Sequence, residues 1–281
     1  MSRWLRVRCP RLTRFILLLL LAHSAGAAAQ FFDVPYVPTP QVVVDEMLRI
    51  ADVKPEDYVI DLGCGDGRIP VTAAGYFGAR ALGIDIDPGR IAESHANAKA
   101  AGVTERVEFR QGNLFDLDIS RASVVTMYLL PDVNIKLRPK LLQALKPGTR
   151  IVSHDFSMGD WKPDRVVTVQ KKIHFWVIPA RVAGRWKLEA NLPGVGPASY
   201  ELEVRQNFQE IEPFARGDKR NYAVWEPRLK GTEISFIIVD NDLAHRYEGV
   251  VAGNAIEGIV RTGAGTAEVE TPFRAVRVGE L

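Results

Sequence analysis

Only two cysteines, Cys9 and Cys64, occur among 281 residues. Cys9 lies in a removable N-terminal segment, so Cys64 is left alone and an intrachain disulfide is excluded from the mature chain. A membrane-spanning helix needs about 20 apolar residues. The leucine-rich run Phe15–Ala22 is cut short by His23, Ser24 and Gly26, which excludes a multi-span membrane protein. Acid is missing altogether from the first thirty residues, and with their five arginines set aside the net charge of +2 becomes −3. A weakly acidic body lacks the concentrated basic face that phosphate backbones require, so nucleic acid is not an expected partner. His95, His174 and His245 share no ligand spacing, and no metal site is expected. No G-x-S-x-G pattern or serine triad is present. What is there, 47% hydrophobic and 25% charged residues, is an ordinary globular composition that excludes disorder and collagen.

Arg3 to Arg14, the run Phe15–Ala22 and then Ala25-Gly26-Ala27-Ala28-Ala29 before Gln30 follow the layout of a secretory signal with an A-x-A cleavage site. Residues 1–29 are therefore expected to be a signal peptide, touching membrane transiently, and the mature protein to be exported, periplasmic or membrane-associated. A permanent anchor and a mitochondrial presequence are the competing readings, since arginine-rich, acid-free segments also mark import into that organelle.

From Gln41 to Phe156 short apolar runs alternate with helical stretches, the pattern of βα units and a mostly parallel sheet. Thr39 is placed to cap the opening helix, with Pro40 at its first position and Val44, Met47, Leu48 and Ala51 on one face. Strands are expected at 58–62, 81–85, 106–110, 123–130 and 149–155, and helices at 68–79, 88–101 and 132–145. The stretches 165–170 and 173–179 suggest an antiparallel edge pair completing the sheet. Beyond Gly184 helical periodicity disappears, and alternating runs at 186–190, 200–208, 233–239, 247–251, 255–260 and 273–278 predict an antiparallel β barrel or sandwich. Trp186, Trp225 and Phe273 read as its core aromatics. The expected domains are 30–183 and 184–281, hinged at 180–184.

Asp61-Leu62-Gly63-Cys64-Gly65-Asp66-Gly67 joins a strand to a helix. Glycines there permit a tight turn and close approach to a ligand. The spacing G-x-G-x-G is not the G-x-G-x-x-G of a dinucleotide site, and Asp61 and Asp66 carry the wrong charge for a pyrophosphate but suit an ammonium and a sulfonium. A nicotinamide-dependent oxidoreductase is disfavoured accordingly. Asp85 ends the next strand, where a carboxylate can accept both ribose hydroxyls; Asp87 is the alternative, with a helix to cap. Asn113, in Gln111-Gly112-Asn113-Leu114, closes a third strand and could face an adenine edge or serve as a turn residue. All three fall where open α/β sheets bind ligands.

These motifs, together with Gly83-Ile84-Asp85, resemble those of class I S-adenosylmethionine-dependent methyltransferases over roughly residues 36–180. Pro35-Tyr36-Val37-Pro38-Thr39-Pro40, followed by Val43, Met47-Leu48 and the glycine loop, resembles the lysine methyltransferases related to the ATP synthase c-subunit enzyme. The resemblance implies a seven-stranded Rossmann-like sheet and S-adenosyl-L-methionine as cofactor. It implies Gly63, Gly65 and Gly67 around the methionyl part, Asp85 at the ribose and Asn113 at the adenine.

Methyl transfer from a sulfonium is an in-line displacement that needs positioning and an uncharged nucleophile. The expected reaction is N-methylation of an amine such as a protein lysine. Thr126-Met127-Tyr128-Leu129-Leu130-Pro131 is the candidate acceptor lining, with Tyr128 to orient the amine, or a half-buried core aromatic. Neither Asn-Pro-Pro-Tyr nor Asp-x-x-Tyr occurs, Val125 standing at the acidic position of the latter. His154-Asp155 could act as a base pair near the methyl group, or cap the next turn. Asp33, Tyr36 and Thr39 are candidates for a lid. The alternative to an enzyme is an exported nucleoside-binding module without catalysis, since an exported enzyme meets no obvious supply of this cofactor.

Overall fold

The computed structural model describes residues 36–218, 220–240, 243–263 and 268–281; the expected signal segment, Cys9 and Asp33 lie outside the described residues. Runs of β-branched and aliphatic residues flanked by helices form β1 (Tyr58–Leu62), β2 (Arg80–Asp85), β3 (Val107–Gln111), β4 (Val124–Met127) and β5 (Arg150–His154), paired in parallel. Crossovers require helices. These are α2 (Arg68–Phe77), α3 (Pro88–Ala100) and α4 (Pro131–Ala144), while α1 (Gln41–Ile50) precedes the sheet and buries Val43, Val44, Met47, Leu48 and Ile50. β7 (Lys171–Val177) is antiparallel to both β5 and β6 (Arg165–Val169), so the seven strands run β3-β2-β1-β4-β5-β7-β6. The order reverses between β1 and β4, which opens a crevice at the strands' carboxyl ends.

Most expected elements appear within a few residues of their predicted bounds, and Asp87 caps α3 by accepting from Gly89 N at 2.7 Å. Thr39 does not cap α1. The N-cap is Pro40, without a side-chain hydrogen bond, because the buried Thr39 hydroxyl is drawn to His154 Nδ1 at 3.2 Å. β4 also ends earlier than predicted, at Met127, since Pro131 begins α4 after an extended Leu130.

The second sheet comprises β8 (Gly184–Leu192), β9 (Gly196–Asn207), β10 (Glu210–Arg216), β11 (Asn221–Tyr222), β12 (Val224–Lys230), β13 (Glu233–Asp240), β14 (Leu243–Ala252), β15 (Ala255–Thr262) and β16 (Val269–Gly279). All pairings are antiparallel, in the order β11-β10-β9-β8-β16-β15-β14-β13-β12, and β10 packs beside β12, making a nearly closed barrel. Alternation places Trp186, Leu188, Tyr200, Phe236, Tyr247 and Phe273 inside. Trp225 is a correction: it is 59% exposed, because edge strand β12 carries a bulge between Trp225 and Arg228 and Glu226 adopts φ +48°. Prolines 213 and 227 blur the alternation of β10 and β12, which is why these strands are not legible in the sequence.

The segment expected as a hinge is tied down. Gln206 Oε1 accepts from Val182 N (2.7 Å) and Ala183 N (3.1 Å), Gln206 Nε2 donates to Ala180 O (2.8 Å), and Ala180 N donates to Gly231 O (2.7 Å).

At the sheet's opposite end from the crevice, buried Asp57 gathers Arg150, the Ser123 hydroxyl (2.7 Å) and Lys54 N (2.7 Å). Removing one partner of a buried ion pair leaves the other uncompensated. Asp57→Ala is expected to lower unfolding free energy by about 3 kcal/mol in denaturant titration, while leaving affinity for S-adenosylhomocysteine unchanged.

Candidate active site

The glycine loop turns through three left-handed residues, Gly63 (φ +78°), Gly65 (φ +53°) and Gly67 (φ +78°). A Cβ on Gly63 would meet Leu129 Cδ2 at 2.8 Å, one on Gly65 the Tyr36 ring, and one on Gly67 the Phe109 ring and Ser94. The directions expected to face a ligand are therefore filled by the protein's own side chains. The loop's amides are also taken: Gly63 N and Cys64 N donate to Ile84 O (2.8 and 2.9 Å), Gly67 N to Cys64 O (2.9 Å) and Gly65 N to Asp85 Oδ2 (2.8 Å). Amides used internally cannot cradle a pyrophosphate, so the geometry disfavours a dinucleotide.

Carboxylates set the sign of the site. Asp61 is buried and accepts from Thr126 Oγ1 at 2.7 Å. Burial, helped by the charges of Asp85 and Asp66 and opposed by the Thr126 hydroxyl, pushes its carboxyl up to about 7. Asp66 is also drawn upward by burial, but the Arg68 fork (2.9 and 2.6 Å) holds it below the usual carboxylate range. Asp85 Oδ1 accepts from Asp87 N at 3.0 Å, so both its oxygens already brace backbone. A cationic ligand fits this set: the ammonium and sulfonium of S-adenosylmethionine suit three carboxylates that no phosphate would tolerate. Asn113 is exposed, and its Oδ1 accepts from Phe115 N at 3.0 Å, the work of a turn residue.

Several groups that brace the loop escape a motif search. Ser94 Oγ donates to Gly65 O (2.8 Å) and Asn97 Nδ2 to Asp66 O (2.9 Å), pinning α3 to the loop, and Arg68 Nη1 reaches Thr39 O (2.8 Å). The i,i+3 pair Ser94 and Asn97 among alanines was the available sequence signal. Tyr36, an expected lid residue, lies over Gly65, its hydroxyl reaching Asp66 and the Arg90 guanidinium 4.5 Å from its ring. Cys64 is buried beside Ser94, and burial pushes its thiol up, which makes it unreactive.

At the ends of β4 and β5, the Tyr128 ring lies 3.9 Å from that of His154, tilted 37°, and 6.0 Å from Phe156 in a stacked arrangement. His154 is 1% exposed; Nδ1 is engaged by Thr39, and Nε2 has no hydrogen-bond partner among the described residues. Burial holds its pKa below the ordinary histidine value, leaving the ring neutral at pH 7. The expected His154–Asp155 base pair is not formed. Asp155 takes φ +63° and turns its carboxylate to Lys171 Nζ, 3.0 Å away. Residues adjacent on a strand point to opposite faces, and the left-handed turn completes the separation. Among the described residues no group of three or more His, Cys, Asp or Glu could hold a metal.

Asp85→Ala removes the acceptor that anchors Gly65, and is expected to weaken S-adenosylhomocysteine binding about tenfold or more by calorimetry, the loss of about 1.5 to 3 kcal/mol for a hydrogen bond to a charged group. The raised carboxyl of Asp61 adds a pH signature. Folded protein binds more protons than unfolded between about pH 4 and 7, so this residue's contribution to stability falls as pH rises through that window. A ligand ammonium favours the ionised carboxylate, so affinity should rise from pH 6 to pH 8, and Asp61→Asn should flatten that dependence.

Comparison with known proteins agrees with this geometry. The family described as the ANTKMT methyltransferase domain matches residues 61–165. A protein-lysine N-methyltransferase of Saccharolobus islandicus is 54% identical over 138 residues, which is 49% of this chain and 86% of that protein. The adenine nucleotide translocase lysine N-methyltransferase of Mus musculus is 33% identical over 48% of this chain, which spans 58% of that relative's length. Among solved structures, a Salinibacter ruber chain titled RNA methyltransferase, in complex with S-adenosyl-L-homocysteine, is 56% identical with a TM-score of 0.51, covering 52% of this chain and 96% of its own. On the identity shared along most of the Saccharolobus protein, this chain belongs to the same family of protein-lysine N-methyltransferases, enzymes dependent on S-adenosylmethionine.

Proposed function

We propose that this enzyme methylates the side-chain amine of a lysine in a protein substrate. The observation that carries this reading is the aromatic and neutral-imidazole wall made by Tyr128, His154 and Phe156 beside the carboxylate-lined glycine loop. When bound, S-adenosylmethionine supplies a methyl group on a sulfonium for in-line displacement. The chain's own task is to hold a neutral amine in line with it. A free lysine has a pKa near 10.4, so the neutral amine costs about 4 to 5 kcal/mol at pH 7. Aromatic faces first attract the ammonium, and desolvation between them favours loss of its proton. With Nδ1–H donated to Thr39, the buried Nε2 of His154 presents a lone pair to receive that proton, and the Tyr128 hydroxyl orients the amine. Asp61 and Asp85 would hold the cofactor's ammonium and ribose, and the backbone of Gly63, Gly65 and Gly67 shapes the surrounding turn. Asn113 bounds the adenine end through its amide nitrogen.

The relatives named as lysine methyltransferases support a protein acceptor. The Salinibacter protein is described as an RNA methyltransferase, but an acceptor of that kind wants a basic face that a body of net charge −3 does not supply. We also infer that residues 1–29 leave as a signal peptide, that the enzyme acts outside the cytoplasm, and that 30–183 and 184–281 are its two domains. A mature N-terminus at Gln30 would support the signal peptide, and an intact Met1 would overturn its removal.

With poly-L-lysine as acceptor, mass spectrometry should find methyl-lysine, whereas transfer to RNA alone would overturn the lysine assignment. Tyr128→Phe and His154→Asn should each lower kcat about a hundredfold, the lower end of general acid–base effects, while calorimetry shows cofactor affinity unchanged. Because burial depresses the His154 pKa, activity should persist at pH 6.5 and fall only at more acidic pH, as the imidazole charges.

A further inference from the structure

Besides the connecting segment and Gly231, which bonds to Ala180 and lies against Gly148 and Val177, the barrel meets the methyltransferase sheet at the turn between β9 and β10, which reaches the loop that follows β5. Phe208, at this turn, adopts φ +55° and packs on the methyltransferase core cluster that contains Trp161 and Trp176, away from the barrel's own core. Its ring stacks on Trp161 at 5.6 Å and 18°, with the Arg138 guanidinium over the ring at 5.2 Å from its centroid. Gln209 then bonds twice: Trp161 Nε1 donates to its Oε1 at 2.8 Å, and its Nε2 donates to Lys162 O at 2.7 Å. Lys162 Nζ and Glu210 form an exposed ion pair at 2.6 Å.

The segment these residues grip runs directly into the acceptor wall. Trp161 and Met158 are fully buried and bridge to each other, Trp176 Nε1 donates to Trp161 O at 3.0 Å, and Arg138 Nη1 donates to Met158 O at 2.8 Å. Upstream, Phe156 stacks on Tyr128, and its carbonyl accepts from Ser153 Oγ at 2.7 Å and from Asn134 Nδ2 at 3.3 Å. The far end of this loop is thus held by the barrel and the near end carries an acceptor-site aromatic. The shorter Saccharolobus and Salinibacter relatives are matched over about half of this chain.

We propose that Phe208 and Gln209 are positioning residues for the acceptor: the barrel fixes loop 156–162, and through it Phe156 against Tyr128, so that acceptor geometry depends on contacts made from the β9–β10 turn. The proposal rests on the lysine-methylating reading and acts only on its acceptor side. A displacement of one ångström at a reacting pair can cost far more rate than the lost contact would suggest.

The test compares the full chain with Phe208→Ala, Gln209→Ala and Phe208→Tyr. With poly-L-lysine, the two alanine variants should raise KM for the acceptor about tenfold while KM for S-adenosylmethionine stays within about twofold, and Phe208→Tyr should restore the wild-type value. Hydrogen exchange should rise at 156–162 and stay unchanged at 63–67. Unchanged acceptor KM in both alanine variants overturns the proposal, as does loosening that spreads equally to the glycine loop. If the wild-type enzyme transfers nothing to poly-L-lysine, the lysine reading fails separately, and hydrogen exchange still decides the positioning role: unchanged protection at 156–162 in Phe208→Ala and Gln209→Ala overturns it.

Discussion

Everything at the cofactor end depends on one tight corner between β1 and α2. Three residues with positive φ fold the chain back so closely that Leu129, Tyr36, Phe109 and Ser94 fill the places where side chains would start. In that geometry the loop's amides reach Ile84 O and Asp85, which ties the corner to the end of β2. The loop is consequently a rigid floor, and its chemistry comes from the carboxylates around it. A phosphate-binding loop works the opposite way, keeping its amides free for the ligand.

The corner also explains why the surroundings are so interdependent. Asp85 braces Gly65 from β2, Ser94 and Asn97 brace it from α3, and Arg68 links Asp66 to the backbone of Thr39. Thr39 in turn holds His154 Nδ1, so the glycine corner and the proposed acceptor wall share a continuous set of hydrogen bonds. The two halves of a methyl-transfer site must be registered to a fraction of an ångström, and such a chain of short contacts supplies that registration. Burial adds the second requirement, since it keeps His154 neutral and Asp61 ready to lose its proton near neutral pH.

The barrel belongs to the same mechanical scheme. Gln206 grips the connecting segment and Phe208 enters the neighbouring core, so the two sheets are fastened at a joint that neither sheet's own alternation would reveal. β10, beside the two-residue edge strand β11, and the edge strand β12 each carry a proline, and β12 also a bulge, features that suit a sheet margin and weaken any period-two signal.

Local pattern alone was enough for the βα order, the seven-strand sheet, the glycine corner, Asp85 at its strand end and the alternation of most barrel strands. These follow from periodicity and from the conformational needs of glycine, which act over a few residues at a time. Tertiary structure alone decided what each side chain does with its neighbours. Thr39 meets a histidine 115 positions away rather than capping its helix, Asp155 turns from His154 to Lys171, Trp225 points outward at a bulge, and Phe208 packs against the core of the seven-stranded sheet. Such choices are made between hydrogen-bonding and packing partners that are distant in sequence, where local propensity carries no information about which one will arrive first in space.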